Sequence, residues 1–499
     1  MPNLPATPTF AIVGRSNEGK TTLMATLTED DQLEISEIQG TTRIATCYPL
    51  EVEDQVIHFW DTPGFQNTAK THAWFQSIRE SMDNPAKAFL LQFERDPEFQ
   101  NECEIFRPIA EGGAVIYLVD ASNRVRTMDR QQLDILRRCG NPRVGVIYSK
   151  SGRGQYEDDW KKLLDKELNT RRDFNAHTAS FTDRIELLEA VGNVIPEWGK
   201  AIAQAIEGLR SQWLWKKKDV AEELLILLQK TLEVEVTEII QGEDRDAKEQ
   251  AAEKAKEKLR QKIRELELDF QKRVRKLFKH SVDHWDIDTI LVGDLFSEEV
   301  WRVFGMTKFQ LVVAGAIIGA IIGGTIDAMV GGATFMIGAG IGAVVGGGAA
   351  WLSAEKFANV TFPDFGKPLI NKKKAGGHSI PEIKIPIGGG KLGGGQARAK
   401  VKPESNLIPI LIDRGFLYAK LVSQWSHGKR DGEKISLTLS GENRSLVAQW
   451  NAKGKEAKQL ANFAGQLSRE EASRKPEVLE AAREELKGIF ENELNRLLR

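Results

Sequence analysis

The chain has 499 residues, 28% of them charged, yet its formal net charge is only −2. That length is too great for one core and implies two to four units, while the balance of charge excludes a global field of the kind that draws nucleic acid. Three cysteines, Cys47, Cys103 and Cys139, stand far apart with no C-x-x-C pair, which argues against a disulfide framework or thiolate metal site and fits a reducing compartment. The opening MPNLPATPTFAIVG has no basic n-region followed by an apolar run and cleavage site, so a cytosolic first domain is expected.

The first element is an apolar strand, TFAIVG, that runs into a glycine loop and a helix. Gly14-Arg15-Ser16-Asn17-Glu18-Gly19-Lys20-Thr21 matches G-x-x-x-x-G-K-[ST] in strand–loop–helix context, the pattern of a P-loop. Backbone N–H groups from Gly14 to Thr22 and the helix N-terminus are expected to cradle phosphates. Lys20 reaches the β/γ-phosphates and the Thr21 hydroxyl ligates Mg²⁺. QGTTRIA follows, with Thr42 positioned to sense a γ-phosphate through the metal. The strand VIHFWDTPGF then ends in Asp61-Thr62-Pro63-Gly64. Asp61 is expected to hold Mg²⁺ through water, and the Gly64 N–H to touch the γ-phosphate. Lys20, Thr42 and Gly64 are thus the candidate catalytic residues, and Thr21, Thr42 and Asp61 the candidate Mg²⁺ ligands.

These motifs, in this order, resemble the Era/TrmE branch of the translation-factor-like GTPases over roughly residues 8 to 185. The resemblance implies an α/β P-loop GTPase domain, a mostly parallel sheet with helices on both faces, and GTP as substrate. Asn17 matches the P-loop asparagine that holds K⁺ in some members of that branch; the alternative is that it only caps the loop. Phe65 stands where Ras-like proteins carry a glutamine, and a phenylalanine cannot orient water. A K⁺ ion would supply the charge that an arginine finger supplies elsewhere, worth about 10³ to 10⁵ in rate. At the base-reading end the resemblance weakens. Ser149-Lys150-Ser151-Gly152 keeps the lysine of N/T-K-x-D but lacks the aspartate, and Ala179 lies in a faint match to the last base-side loop. GTP is favoured by resemblance, with relaxed selectivity or ATP as the alternatives, because a missing hydrogen-bonding group removes about 10⁴ to 10⁵ of discrimination. Between Gln66 and Glu111 an insert carries two amphipathic helices, THAWFQSIRES and AKAFLLQFERD, either a partner surface or simple packing.

From Ile185 to about Ser281 the pattern is helical. Leu224 to Leu228 is apolar nearly all round and is expected to be buried. Ala247, Ala251, Ala255, Leu259, Ile263, Leu266, Phe270, Val274 and Leu277 then recur every three or four residues, one apolar stripe on a long helix. It is either a self-associating coiled-coil seam or a stalk folded back on the bundle. QWLWKKK, with Trp213 and Trp215, is read as a helix face with core contacts, or as a membrane-interface cluster.

Phe309 to Ala354 carries one charge, Asp327, and is studded with Gly315, Gly319, Gly323 and again Gly338, Gly342, Gly346. Such spacing lines one helix face with small residues, the packing mode of helices in lipid. Phe309–Ile326, eighteen residues, spans about 27 Å as a helix. Positive residues on both sides (Arg302, Lys308, Lys356, Lys367) fit a hairpin with both ends in the cytosol; a buried helical pair in a soluble fold is the alternative. A basic Gly/Pro-rich tract with Lys372-Lys373-Lys374 reads as a flexible linker, able to bind anionic lipid at ~1 kcal/mol per charge, with RNA binding or simple solubility as the alternatives. His427, near Arg430 and Asp431, is read as structural, and the last unit resembles the C-terminal region of an uncharacterised bacterial family of Era-like GTPases.

The expected organisation is therefore a GTPase domain over 1–185, a helical bundle and stalk over 186–306, a glycine-rich hairpin over 307–356, a linker over 357–405 and a C-terminal helical domain over 406–499. The expected function is a bacterial Mg²⁺-dependent GTPase switch at the cytoplasmic face of the inner membrane. The alternatives are a soluble assembly or RNA-linked GTPase with the hairpin buried, and dynamin-like remodelling.

Overall fold

The structure, a computed structural model, describes residues 4–16, 18–30, 42–79, 82–149, 155–176, 178–241, 245–280, 398–401, 407–425, 455–467 and 475–498. The hairpin over 307–356, the candidate residues Asn17 and Lys150, and His427 lie outside them.

The N-terminal half alternates strand and helix: β1 Thr9–Val13, α1 Lys20–Thr28, β2 Thr46–Val52 and β3 Gln55–Asp61. The insert α2 Thr68–Ser77, α3 Pro85–Phe93 and α4 Gln100–Ala110 follows. Then come β4 Ala114–Asp120, α5 Thr127–Cys139, β5 Arg143–Tyr148, α6 Glu157–Glu167, β6 Thr170–Asp173 and α7 Phe181–Val194. The strand order is β2-β3-β1-β4-β5-β6, with only the β2–β3 hairpin antiparallel. The fold is the expected α/β type with a mostly parallel sheet.

Both faces of this sheet are covered, which explains why its central strands read as continuous apolar runs rather than alternations. On β1, Phe10 and Ile12 enter one core while Ala11 and Val13 enter the other; on β4, Ile116 and Leu118 face the first and Tyr117 and Val119 the second. The first core is closed by α1, α7 and the start of α8 (Pro196–Glu233). The second is closed by the insert, α5 and α6. Two of the insert helices match the amphipathic pair read from sequence; α4, which was not, has its Cys103, Ile105, Phe106 and Ile109 wholly or nearly buried.

Helix α8 has 38 residues, about 57 Å long, and belongs to two cores. Trp198, Ile202, Ala205, Ile206 and Leu209 pack on the sheet, while Trp213 and Val220 to Leu228 enter a separate helical core. That core is completed by α9 Arg245–Leu277, α10 Leu407–Gln424, α11 Lys455–Leu467 and α12 Pro476–Leu497. The apolar stripe of α9 is buried there: Ala255, Ile263, Phe270 and Val274 are at most 1% exposed. Its partners are α8 and α10 of the same chain, so this stripe lies in a bundle rather than on a projecting stalk. Trp213 donates its indole N–H to the Leu498 carbonyl at 3.1 Å and stacks on Phe181, so it is a core residue, whereas Trp215 is exposed beneath Lys218.

Two expectations need correction. The helical unit is not all-α: β7 Val236–Ile239 pairs antiparallel with β8 Arg398–Val401. Nor is the tract over 357–405 linker throughout, since β8 falls inside it. RAKV alternates polar and apolar residues with a period of two, whereas VTEI places two polar residues side by side, and short strands about 160 residues apart have no local cue to pair them.

Candidate nucleotide site

The site is built at the C-terminal ends of β1 and β3, where the glycine loop turns into α1. Gly19 holds the left-handed conformation (φ 74°) as the residue before α1, a turn that costs a glycine little. The loop is empty of side-chain bulk at a second point. A Cβ on Gly64 would lie 2.4 Å from Ser16 Oγ and 2.6 Å from the Ser16 nitrogen, so the segment after β3 touches the P-loop backbone directly.

The three candidate metal ligands converge. Thr21 Oγ1 donates to Asp61 Oδ2 at 2.8 Å, and Thr42 Oγ1 donates to the same oxygen at 3.2 Å. Asp61 is 3% exposed and its Oδ1 is without a hydrogen-bond partner. Burial raises its carboxyl pKa, against the opposing pull of Lys20 and the two threonines. Three hard oxygens around an unsatisfied buried carboxylate oxygen suit Mg²⁺. Lys20 is also buried; its ammonium donates to the Arg15 carbonyl at 2.9 Å and the Gly14 carbonyl at 3.3 Å, and burial lowers its pKa against the pull of Asp61 and Glu18. Its charge thus sits inside the loop that surrounds it.

The remaining P-loop side chains are used in construction. Arg15 turns its Nε and Nη2 onto both oxygens of Asp129, a wholly buried residue in the first turn of α5, and lies over Trp160. The Arg15 side chain is therefore committed to the fold rather than to a phosphate. Glu18 is 3% exposed and accepts from the Arg15 N–H at 3.0 Å; burial pushes its carboxyl up to about 7, against the nearby Arg15. Thr22 is buried in α1. At the base-side end, Ser149 Oγ lies 3.3 Å from Ser122 Oγ, which in turn donates to Asp120 at 2.6 Å. Ala179 is half-buried beside the start of α7.

Residues that sequence reasoning missed hold the site from behind. Glu102 of α4 is fully buried and accepts the backbone N–H groups of Gln66 (2.8 Å) and Asn67 (2.6 Å); burial raises its pKa while those two bonds lower it. Asn101 donates to the Gly64 carbonyl at 3.3 Å, and Glu104 accepts from the Ala45 N–H at 2.9 Å. Phe65 is buried, edge-on to Phe106 of α4. Nothing in the spacing of Asn101-Glu102-x-Glu104 marks it, because its partners are main-chain groups.

Two family models match the chain: one described as 50S ribosome-binding GTPase over residues 9–150, and one described as a domain of unknown function, DUF3482, over residues 161–490. Among curated proteins, GTPase Der of Rhodopirellula baltica is 28% identical over 163 residues, 33% of this chain and 29% of that protein. The tRNA modification GTPase MnmE of Phocaeicola vulgatus is 23% identical over 141 residues, 28% of this chain and 23% of the relative. The chain therefore spans less than a third of the length of these relatives. Among solved structures, Era in complex with MgGDPNP and nucleotides 1506–1542 of 16S ribosomal RNA matches at 17% identity and a TM-score of 0.29, covering 53% of this chain and 89% of that one. Aquifex aeolicus Era bound to GDP and AlF4⁻ matches at 18% identity and a TM-score of 0.28, covering 55% and 98%.

Proposed function

The chain belongs to the DUF3482 family and carries an Era/Der/MnmE-like P-loop GTPase domain at its N-terminal end, and from that premise we propose that it is a Mg²⁺-dependent GTP-hydrolysing switch. The observation that carries this reading is the meeting of Thr21, Thr42 and Asp61 around one buried carboxylate whose second oxygen is unsatisfied. Mg²⁺ bound there would supply positive charge to a triphosphate. Thr21 and Thr42, whose hydroxyls meet at Asp61, would hold the ion together with that carboxylate. Lys20 gives up its two carbonyl partners for phosphate oxygens. The P-loop N–H groups and that of Gly64 bind where charge develops on the transferred group, which is the larger share of phosphoryl-transfer catalysis.

Phe65 is buried against α4, so the attacking water takes its orientation from elsewhere; a K⁺ ion at Asn17 is the proposed source of the compensating charge. Guanine selectivity is likewise a proposal, since the base-side aspartate of related domains is absent from Ser149-Lys150-Ser151-Gly152. The test is equilibrium binding of GTP, GDP and ATP with and without Mg²⁺, followed by hydrolysis in K⁺ and Na⁺. GTP should bind more tightly than ATP, and Asp61→Asn should weaken the Mg²⁺-dependent part of GTP binding by about 10- to 100-fold, as loss of a metal-orienting carboxylate does. Equal affinity for GTP and ATP would remove guanine selectivity, equal rates in both salts would remove the role given to Asn17, and an unchanged Mg²⁺ dependence would remove the metal site.

The output is proposed to be at a membrane. Supporting this is the composition of residues 309–354, with a single charge at Asp327 and glycines repeated every four residues. Among the described residues no helix is long and apolar enough to cross a bilayer, and 309–354 is not among them. Extraction of membranes with alkaline carbonate tests stable embedding, and flotation with liposomes with and without GTP tests insertion on a signal. Recovery in the soluble fraction in both would favour the second reading, a soluble assembly or RNA-linked GTPase.

A further inference from the structure

Helix α4 touches both of the segments that flank the metal site. Three of its residues, Asn101, Glu102 and Glu104, reach across in one turn. Glu102 takes the N–H groups of Gln66 and Asn67, immediately after the Asp61–Gly64 motif, and Asn101 takes the Gly64 carbonyl. Glu104 takes the Ala45 N–H, three residues after Thr42, and anchors its other oxygen on Arg107 at 2.7 Å. A carboxylate as buried as Glu102 is costly unless hydrogen-bonded, and its Oε2 already lacks a partner. It is therefore tolerated in its charged form only while both backbone N–H groups stay where they are. Phe65 seals the same contact by packing on Phe106.

We propose that α4 is a positioning element that ties the two nucleotide-sensing segments to each other, with Glu102 and Glu104 as its two holding residues. Movement of the Thr42 segment strains Glu104, shifts α4 and loosens Glu102 from Gln66 and Asn67; movement of the Gly64 segment acts in reverse. Coupling of this kind is reciprocal. Its use in a GTP cycle rests on the function proposed above, but its existence does not.

The test is amide hydrogen exchange, read by mass spectrometry on the full chain without nucleotide. Glu104→Ala should raise exchange about fivefold or more in peptides covering 64–67, which Glu104 does not touch, and Glu102→Ala should do the same around Ala45. Glu102→Gln keeps a carbonyl acceptor and should restore most of the protection. If Glu102→Ala unravels α4, Glu104→Ala and Glu102→Gln still decide, since Glu104 is only partly buried and the amide fills the same space as the Glu102 carboxylate. Loosening confined to the segment each residue touches would overturn the proposal, leaving two independent anchors. In the same variants GTP hydrolysis should fall about tenfold, the lower range of coupling effects, while GDP affinity stays within about twofold. Wild-type protein that binds no GTP would refute the nucleotide reading and leave the exchange result standing.

Discussion

Gly64 lies against the P-loop with no room for a methyl group. Adding one at 2.4 Å from Ser16 Oγ and 2.6 Å from the Ser16 nitrogen must push the segment after β3 away from the loop. The Gly64 N–H is the donor assigned to the γ-phosphate, so the displacement removes a contact that GDP never makes. Gly64→Ala is expected to lower GTP turnover by about 10²-fold, as loss of one oriented backbone-type donor does, with GDP affinity nearly unchanged. Single-turnover hydrolysis and a GDP titration check both halves; a parallel loss of GDP binding would mean that the P-loop itself had collapsed. Such residues differ in how legible they were. Lys20, Thr21 and Asp61 were readable because phosphate and metal chemistry fix both their types and their spacing. Asp129 and Glu102 were not, because one serves Arg15 from 114 residues away and the other serves bare N–H groups 35 and 36 residues away.

At the scale of elements, the α9 stripe and the α8 apolar run were legible because a 3.6-residue period needs no knowledge of the partner. What they pack against was not legible, and here α10 decides. Gly415 of α10 is buried where a Cβ would meet Leu224 Cδ1 of α8 at 2.5 Å and Phe270 Cζ of α9 at 3.5 Å. The neighbouring Arg414 is paired with Glu267 of α9 at 2.5 Å, both nearly buried. Three helices thus meet at one glycine. Leu224 can rotate away from a methyl group, but a branched side chain must displace backbone. Gly415→Val is expected to destabilise the helical unit by about 1–3 kcal/mol, the ordinary cost of overpacking a filled core, against a smaller loss for Gly415→Ala. Urea unfolding monitored on the helical unit measures it. Equal stability of wild type and Gly415→Val would mean that α10 does not seat as described. The β7–β8 pair is the opposite case: each strand was too short and too distant from its partner for pattern alone to find it.

For the whole molecule the question is whether the sheet domain and the helical unit can move independently, and α8 argues that they cannot. Its N-terminal half buries Trp198, Ile202 and Leu209 in the sheet core, and its C-terminal half buries Val220 to Leu228 in the helical core. A second tie lies beside it: Glu29, at the end of α1 and just before the segment carrying Thr42, receives Arg184 of α7 at 2.5 Å, Lys216 of α8 at 3.0 Å and Lys279 at 3.6 Å. A displacement at the nucleotide site therefore has a stiff path into the bundle, through helix rather than through a linker. Arg210 sits between the two packed halves of α8, half exposed and paired at the surface, among the described residues, with Glu189 and Glu207. Arg210→Pro breaks the helix there at about 3 kcal/mol, while Arg210→Ala removes only the ion pairs, worth at most about 1 kcal/mol. With α8 continuous, calorimetry on the wild type and on Arg210→Ala is expected to give one cooperative transition for the sheet domain and the helical unit. Arg210→Pro should split it into two, and should separate nucleotide-induced exchange changes in the sheet domain from those in α9 and α10. Two transitions already in the wild type would show that the shared helix does not couple the cores, and the route from nucleotide to bundle would then have to run through side contacts such as Glu29 with Lys279 and Phe181 with Trp213.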